Sequence, residues 1–276
     1  MNILVTAANG NLGREIVAQL SARVDVVAGV RKLEQARPGN RVTYKQLDYD
    51  QPATYADALD GIDAVVLQAP PLDAGALQRM TPFIDAMRNT GINRVVLISA
   101  YGVDHNDAAP LRQIELKLIA DGFNYTLLRP SFFMENFSSG FAAQTLRQDS
   151  AVVASAGDGK IVFVSIRDIA AMATQVLTVT GHDKTAYNLT GGEALSHGDV
   201  ATILSEALGK PVQYVSLSHD ALKAGAMEHG MPESAADYLI TLFDLAKRGL
   251  FATPSNDIES VLGRAPTPFK AVAASI

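Results

Sequence analysis

The sequence predicts an α/β fold with a doubly wound parallel sheet, followed by a smaller mixed α/β lobe. Residues 1–150 alternate short apolar runs with amphipathic segments, and the apolar runs contain few polar residues. Strands that are apolar on both faces are typical of parallel sheets covered by helices on each side. The regular alternation stops after about residue 150, which indicates a second, differently built region.

The first region is predicted to contain six strands separated by helices. Leu12, Ile16, Val17 and Leu20 recur at helical spacing and mark the buried face of the first helix. The remaining helices are expected in residues 52–61, 79–91 and 109–122, each followed or closed by glycine. The predicted strands are residues 2–7, 24–30, 41–48, 62–71, 92–102 and 124–133.

The second region has a looser pattern. Residues 157–177 predict a strand and then a helix, and residues 185–192 and 211–218 predict further strands. Ser196 with Asp199 resembles a capping box that opens a helix through Leu208. Two more helices are expected between residues 219 and 249. We therefore divide the chain into residues 1–150 and residues 151–276, with some segments of the second part returning to the sheet.

Composition excludes several classes of function. The 276 residues are 48% hydrophobic and 19% charged, with a formal net charge of −6, which argues against nucleic-acid or anionic-membrane partners. The absence of cysteine excludes disulfides, thiolate nucleophiles and cysteine-bound metals. No apolar run approaches the ~18 residues of a membrane span, and no leader is recognisable. We expect a cytoplasmic protein.

The carboxyl ends of the predicted strands define the candidate site, because ligands of open α/β sheets bind there. The first of these ends is a turn of small residues before the first helix. Gly10 would let the backbone approach a pyrophosphate, and Gly13 would let helix and strand pack closely. Ala7 stands where such turns usually begin with glycine, and costs roughly 1 kcal/mol if its φ is positive. The residues predicted to hold a dinucleotide in this turn are Thr6, Ala8, Asn9, Gly10, Asn11, Leu12 and Gly13.

Further strand ends favour a particular dinucleotide. Arg31 and Lys32 follow the second strand, where an acidic residue would favour NAD. A guanidinium there can bind a 2′-phosphate and stack on adenine, so NADP(H) is predicted over NAD(H). The alternative is a solvated basic pair. Asp48 suits the adenine amino group or is simply a turn former, and Ala69 and Pro70 complete the predicted cofactor site.

Four segments carry a family resemblance: VTAANGNLG, VRKLEQA, LDYDQPATYADALDGIDAVVL and YTLLRPSFFMENF. Together they resemble the NmrA-like, atypical branch of the short-chain dehydrogenase/reductases. Within that branch the sequence is most similar to bacterial NAD(P)H quinone oxidoreductases and triphenylmethane- or azo-dye reductases. The resemblance implies an NADP-preferring Rossmann domain and a small C-terminal lobe over the substrate. The branch also includes redox-sensing regulators that bind the dinucleotide without turnover.

Two departures bear on the chemistry. Ala7 replaces the first glycine of the family turn, and Leu111 stands where the family often has a histidine, four residues before Glu115. The expected helix also lacks the Tyr-x-x-x-Lys pair that serves ordinary members as proton donor. A quinone or cationic dye can accept hydride without a strong acid, so the missing pair is compatible with such substrates or with no catalysis.

Side chains after the fifth and sixth strands are the candidates for the substrate side. Ser99 and Tyr101 could orient a nicotinamide or donate a hydrogen bond; the alternatives are a turn residue and packing. Phe132 and Phe133 could stack on a flat ring, with Asn136 beside them, or they belong to the core. His105 is expected at the surface, and no metal site is predicted.

Two functions remain open at this level. The first is an NADPH-dependent reductase that transfers hydride to quinones or similar flat electrophiles. The alternative is a catalytically silent NADP-binding regulator of the NmrA type. In either case we expect no nucleic-acid or membrane partner, and either a monomer or a homodimer.

Overall fold

The computed structural model describes residues 1–35, 39–139 and 142–276. Within these residues the chain forms two compact units, each made of separate stretches. The first unit comprises residues 1–71, 75–129 and 169–188, and the second comprises residues 72–74, 130–168 and 189–276.

The described strands form one large sheet and one small one. Seven strands are ordered β3-β2-β1-β4-β5-β6-β8, and β7 pairs with β9 in parallel. The neighbouring pairs from β3 to β6 are all parallel. The strands are β1 (Asn2–Val5), β2 (Asp25–Val30), β3 (Val42–Gln46), β4 (Ala64–Gln68), β5 (Arg94–Ile98), β6 (Asn124–Pro130), β7 (Ala151–Ala154), β8 (Thr185–Leu189) and β9 (Gln213–Ser216).

Helices separate these strands in the chain. They are α1 (Asn11–Ser21), α2 (Tyr55–Leu59), α3 (Ala76–Asn89), α4 (Pro110–Ala120), α5 (Ala143–Asp149), α6 (Ile166–Thr178), α7 (His197–Leu208), α8 (His219–Glu228), α9 (Glu233–Lys247), α10 (Asp257–Leu262) and α11 (Phe269–Ala273). The alternation of β1 to β6 with helices confirms the predicted doubly wound α/β class.

The position of β1 determines where a ligand can bind. The chain runs from β1 outward to β2 and β3, and then returns to place β4 on the other side of β1. Ile3 of β1 accordingly lies between Val26 of β2 and Ala64 of β4. Such a reversal opens a crevice at the carboxyl ends of the strands. The turn after β1 therefore lies at the switch point of the sheet.

The core of the first unit is mainly aliphatic. The predicted apolar face of α1 is confirmed, since Leu12, Ile16, Val17 and Leu20 are all buried. On another helix, Phe83 of α3 is fully buried. Its ring meets Tyr55 at a centroid distance of 5.2 Å and Tyr49 at 5.5 Å.

The core of the second unit contains a cluster of aromatic rings. Phe163 packs edge-on against Phe137 and Phe269, with both centroid distances at 5.7 Å. The ring of His197, the first residue of α7, lies 5.8 Å from Phe163 and 5.5 Å from Phe243.

The capping box predicted at the start of α7 is confirmed. The Asp199 amide donates to the Ser196 hydroxyl at 3.1 Å, and the Ser196 amide donates back to the Asp199 carboxylate at 2.9 Å. Two otherwise unpaired amides at the helix N-terminus are thereby satisfied. The predicted start of this helix is correct to the residue.

The strand predicted ahead of α6 was wrong. In that stretch Ile161 and Val164 each form a single isolated bridge, to Leu195 and Phe133 respectively, so no ladder develops. Instead, Glu135 accepts hydrogen bonds from the Ser165 hydroxyl (2.7 Å) and the Ile166 amide (3.0 Å) at the beginning of α6. An acidic side chain at a helix N-terminus is favourable because it meets unpaired amides.

In the described part of the chain, no helix combines the length and apolarity needed to cross a membrane. The same residues bring together no group of three or more His, Asp or Glu side chains that could hold a metal ion.

Burial of His197 gives the second unit a pH-dependent stability. The residue is 3% exposed, its Nδ1 has no partner among the described residues, and burial lowers its pKa from 6.5 to about 4. As the pH falls from 6.5 to about 4, the His197 imidazole is therefore protonated in the unfolded chain but stays neutral in the folded chain. Across that window we expect His197 to remove up to about 3 kcal/mol of the unfolding free energy.

Urea denaturation of the protein and of His197→Phe across this pH window measures the effect. The phenylalanine variant keeps a ring in the cluster but cannot be protonated, so its stability should fall less on acidification. Below about pH 4 the two curves should run parallel, because both states then carry the proton. Parallel curves throughout the window would contradict the assignment.

Candidate functional site

The turn between β1 and α1 places backbone amides at the switch point of the sheet. The Thr6 amide still belongs to the sheet and donates to Val66 O at 3.0 Å, and the Ala8 amide donates to Gly29 O at 3.1 Å. Gly10 then caps α1 in an extended conformation without contributing a side chain. Asn9, Gly10 and Asn11 keep some exposure, so this helix N-terminus is accessible.

Ala7 adopts the left-handed conformation, with φ of 51°. The sequence alone leaves the sign of this angle open. The Gly10 amide donates to Ala7 O at 2.9 Å and closes the turn. A left-handed alanine costs roughly 1–2 kcal/mol relative to a right-handed one. The turn therefore keeps the geometry of a glycine-led turn in spite of the methyl group.

Gly13 is required by the close approach of α1 to this turn. A Cβ at Gly13 would lie 2.3 Å from Ala7 O and 2.9 Å from the Ala8 Cα. At Gly10 an added Cβ would lie 3.3 Å from Ala7 O, which is tight but less severe. Gly13 thus permits the close packing of helix and turn that the sequence predicted, and Gly10 adds no side chain at the helix N-terminus where the pyrophosphate is expected.

A hydrogen-bonded layer lies behind the turn. The fully buried Thr6 accepts from the Gln68 amide at 2.9 Å, and Gln68 Nε2 donates back to Thr6 O. Tyr49 donates to Gln68 O at 2.9 Å, and its burial raises its pKa strongly. These contacts hold the Thr6 side chain inside the sheet, where it stabilises the turn that follows β1.

The predicted adenosine-side residues also lie in the first unit. Arg31 and Lys32 follow β2 with exposed side chains. The Asp48 carboxylate accepts from the Asp50 amide at 3.1 Å and from Gln51 Nε2 at 3.0 Å, which makes it a turn former. Its proposed contact with adenine stays a prediction. Ala69 and Pro70 follow β4 and are half-buried.

Ser99 follows β5 and belongs to a buried ionic cluster. Its hydroxyl lies 2.6 Å from Glu115 Oε1. Glu115 is fully buried and also accepts from Arg129 Nε and Nη2, both at 2.9 Å, and from Arg112 Nη1 at 2.9 Å. Burial alone would lower the pKa of Arg129, but the hydrogen bonds and charge of Glu115 raise it above its ordinary value. The cluster links β5, α4 and β6.

The same arginine holds the loop that carries Tyr101. Arg129 Nη1 donates to Asp104 Oδ2 at 2.7 Å, just beyond the left-handed Gly102. Burial raises the pKa of the half-buried Tyr101, and the charge of Asp104 adds to the rise. Tyr101 is therefore a weaker proton donor than a free tyrosine, and His105 is exposed.

The sequence alone gives this cluster no role. Glu115 stands out there only as a retained family residue, and Arg129 only as part of a strand end. One signal is present: an arginine within the apolar run of β6, with Arg112 and Glu115 at helical spacing on α4. A charge in a buried strand requires a partner.

The remaining predicted pocket residues belong to the second unit. Phe132 packs against Phe251 at a centroid distance of 5.4 Å and is stacked at 6.1 Å on Phe243. Phe133 and Asn136 are half-buried, and the Asn136 amide donates to Phe133 O at 3.3 Å. Phe132 thus packs in the core, which was the alternative that the sequence analysis gave for it. Contact of Phe132 with a substrate stays a proposal.

The first unit fits a dinucleotide on its own features. An accessible helix N-terminus at the switch point offers amides to phosphates, the exposed Gly10 adds no side chain there, and a basic pair follows the neighbouring strand. Gly13 lets α1 pack against the turn at a distance that a Cβ would prevent, and this packing sets the position of the helix N-terminus.

Comparisons with known proteins agree with this fit. The profile of a family described as NAD(P)H-binding matches residues 7–180. The chain is 33% identical over 274 residues to NAD(P)H azoreductase of Xenophilus azovorans, covering 97% of this chain and 95% of that one. The chain therefore belongs to the NAD(P)H-binding, NmrA-like family. Its relatives in that family include NAD(P)H-dependent reductases.

Two solved structures share the whole fold. One is the NADPH-dependent quinone oxidoreductase QOR2 of Escherichia coli complexed with NADPH, with a TM-score of 0.86, 27% identity and 99% coverage of both chains. The other is the triphenylmethane reductase of Citrobacter sp. complexed with NADP(H), with a TM-score of 0.85, 26% identity and 99% coverage of both chains. The family resemblance stated from the sequence is confirmed.

The left-handed Ala7 predicts a stabilising substitution. Ala7→Gly removes the steric cost of a positive φ, part of which is offset by the greater freedom of glycine in the unfolded chain. We expect the unfolding free energy in urea to rise by about 0.5–1 kcal/mol.

Ala8→Gly is the matched control. Ala8 is buried and is not among the residues with positive φ, so its replacement should lower stability by about 1 kcal/mol. If both variants lose stability to the same extent, Ala7 carries no conformational strain.

Proposed function

We propose that this protein is an NADPH-dependent reductase that transfers hydride to quinones or similar flat electrophiles. The single observation that carries the proposal is the β1–α1 turn, whose left-handed Ala7 and tightly packed Gly13 leave an accessible helix N-terminus at the switch point. Similarity to an azoreductase and to a quinone oxidoreductase supports the substrate class. A small-molecule substrate and a cytoplasmic location are part of the same proposal.

Different residues of the first unit would bind different parts of NADPH. The amides at the beginning of α1 would meet the pyrophosphate beside Gly10, while Arg31 and Lys32 would meet the phosphate on the adenosine ribose. Ser99 and the Ala69–Pro70 segment would face the nicotinamide half. When bound, NADPH supplies the hydride, and the protein orients it and limits access of water.

The side chains at the end of β5 supply little acid. The Ser99 proton is already committed to Glu115, and the pKa of Tyr101 is raised. Hydride addition to an ordinary ketone leaves a strongly basic alkoxide, which requires such an acid. A quinone gives an aromatic anion of modest basicity that water can protonate. The site therefore favours quinones and cationic or conjugated acceptors over simple ketones.

A screen of NADPH oxidation against quinones, azo dyes, triphenylmethane dyes and simple ketones tests the proposal. We expect consumption of NADPH that depends on added quinone, a smaller response to dyes, and none with unactivated ketones. Tight NADPH binding without turnover on any acceptor would overturn the proposal and favour the silent regulator.

Selection of NADPH over NADH should depend on Arg31. Arg31→Ala removes a charged donor to the 2′-phosphate, so the dissociation constant for NADPH should rise about tenfold or more, because a hydrogen bond to a charged group contributes roughly 1.5–3 kcal/mol. Binding of NADH, which lacks that phosphate, should change less than about twofold. Isothermal titration calorimetry with both cofactors measures the difference.

Arg88→Ala is the charge-matched control. Arg88 lies in the last turn of α3, and its side chain is 63% exposed next to Asp121. In a β-α-β unit the end of the helix lies at the opposite edge of the sheet from the strand carboxyl ends, so neither cofactor should be affected. Equal losses of NADPH and NADH affinity in Arg31→Ala would contradict a role in selection.

A further inference from the structure

The hydroxyl of Ser99 has a fixed orientation. The backbone amide of Ser99 continues the β5–β6 ladder by donating to Leu128 O at 2.7 Å, and the residue is 4% exposed. The side-chain oxygen lies 2.6 Å from Glu115 Oε1, which is a short hydrogen bond. Ser99 is thus held both through its backbone and through its side chain.

The charge state of Glu115 determines which group donates. Its carboxylate accepts two hydrogen bonds from the Arg129 guanidinium and one from Arg112. Three N–H donors from two guanidinium groups meet this one fully buried carboxyl, and a carboxylate, whose oxygens only accept, is the form that matches that donor set. An ionised carboxylate only accepts, so the Ser99 hydroxyl must donate.

A serine whose proton is already donated keeps only acceptor capacity. Any further hydrogen bond at Ser99 Oγ must therefore be one that it accepts through a lone pair. In this arrangement Ser99 cannot donate to a substrate carbonyl or protonate a product. A partner of Ser99 must bring its own N–H or O–H.

The position of β5 indicates which ligand atom that is. β5 is two strands from β1, and strands lie about 4.8 Å apart, so Ser99 is roughly 10 Å across the sheet from the turn. Arg31 follows β2, on the other side of β1. A dinucleotide with its pyrophosphate at the turn and its adenosine toward Arg31 therefore sends its nicotinamide toward β4 and β5. The carboxamide is the group on that ring with N–H donors.

We propose that Ser99 is a fixed hydrogen-bond acceptor for the nicotinamide carboxamide, held in that state by the Glu115–Arg129–Arg112 cluster. This inference rests on the proposed NADPH site. It assigns Ser99 to orienting the cofactor ring, and it removes Ser99 from the candidate proton donors.

The acetylpyridine analogue of NADPH provides a probe, because a methyl ketone replaces the carboxamide and keeps the carbonyl but lacks the N–H donors. We expect calorimetric titration of the protein to show NADPH binding about five- to tenfold more tightly than the analogue, as for one net hydrogen bond. Ser99→Ala should reduce this ratio to near one by weakening NADPH binding alone. Ser99→Thr, which keeps a hydroxyl, should preserve it.

Ser155→Ala is the matched control. Ser155 is also a buried serine, but its hydroxyl has no partner among the described residues. This variant should leave the ratio unchanged.

The outcomes separate this inference from the proposed function. An equal affinity of the unaltered protein for NADPH and the analogue overturns the inference even if a variant fails to fold. Retention of the full ratio in Ser99→Ala overturns it as well. Discrimination that depends on Ser99 without any quinone turnover supports the inference and overturns only the reductase. Absence of NADPH binding overturns both.

Discussion

The contact of α1 with the end of β1 is the constraint on which the candidate site depends. An added Cβ at Gly13 would be 2.3 Å from Ala7 O, so helix and turn are as close as backbone atoms allow. This proximity directs the helix N-terminus at the switch point of the sheet and holds Ala7 in the left-handed region. The free energy that the alanine costs is offset elsewhere in a core of fully buried side chains. Strain of this kind persists only where the surrounding structure determines the backbone.

A second constraint operates at the end of β5. The ion pair of Glu115 with Arg129 is almost wholly buried, and pairs of this kind contribute little net stability once desolvation is counted. In this protein the pair instead positions its neighbours. The Glu115 carboxylate holds the Ser99 hydroxyl, and Arg129 holds the loop after Tyr101 by its hydrogen bond to Asp104. The turn and this cluster both belong to the first unit, so the atoms that would contact a dinucleotide are positioned by one sheet.

The sequence predicted the sheet and the turn because their signals are local. The apolar runs, the helical spacing of Leu12 to Leu20 and the pair Gly10 and Gly13 each depend on neighbours within a few residues. The φ of Ala7 could not be predicted, since it follows from how closely α1 packs on the turn. The cluster around Glu115 was missed because it joins α4 to β6 and to the end of β5 through tertiary contacts. The strand expected at Ile161–Val164 failed for a related reason: the apolar pattern fits burial in an irregular segment as well as in a ladder.

A crystal structure of the protein with NADPH would test the proposed cofactor site most directly. We predict the pyrophosphate at the N-terminus of α1 beside Gly10, the 2′-phosphate against Arg31, and the carboxamide nitrogen within hydrogen-bond distance of Ser99 Oγ. A cofactor whose phosphates lie away from this turn, or whose nicotinamide lies away from the end of β5, would contradict the proposed site.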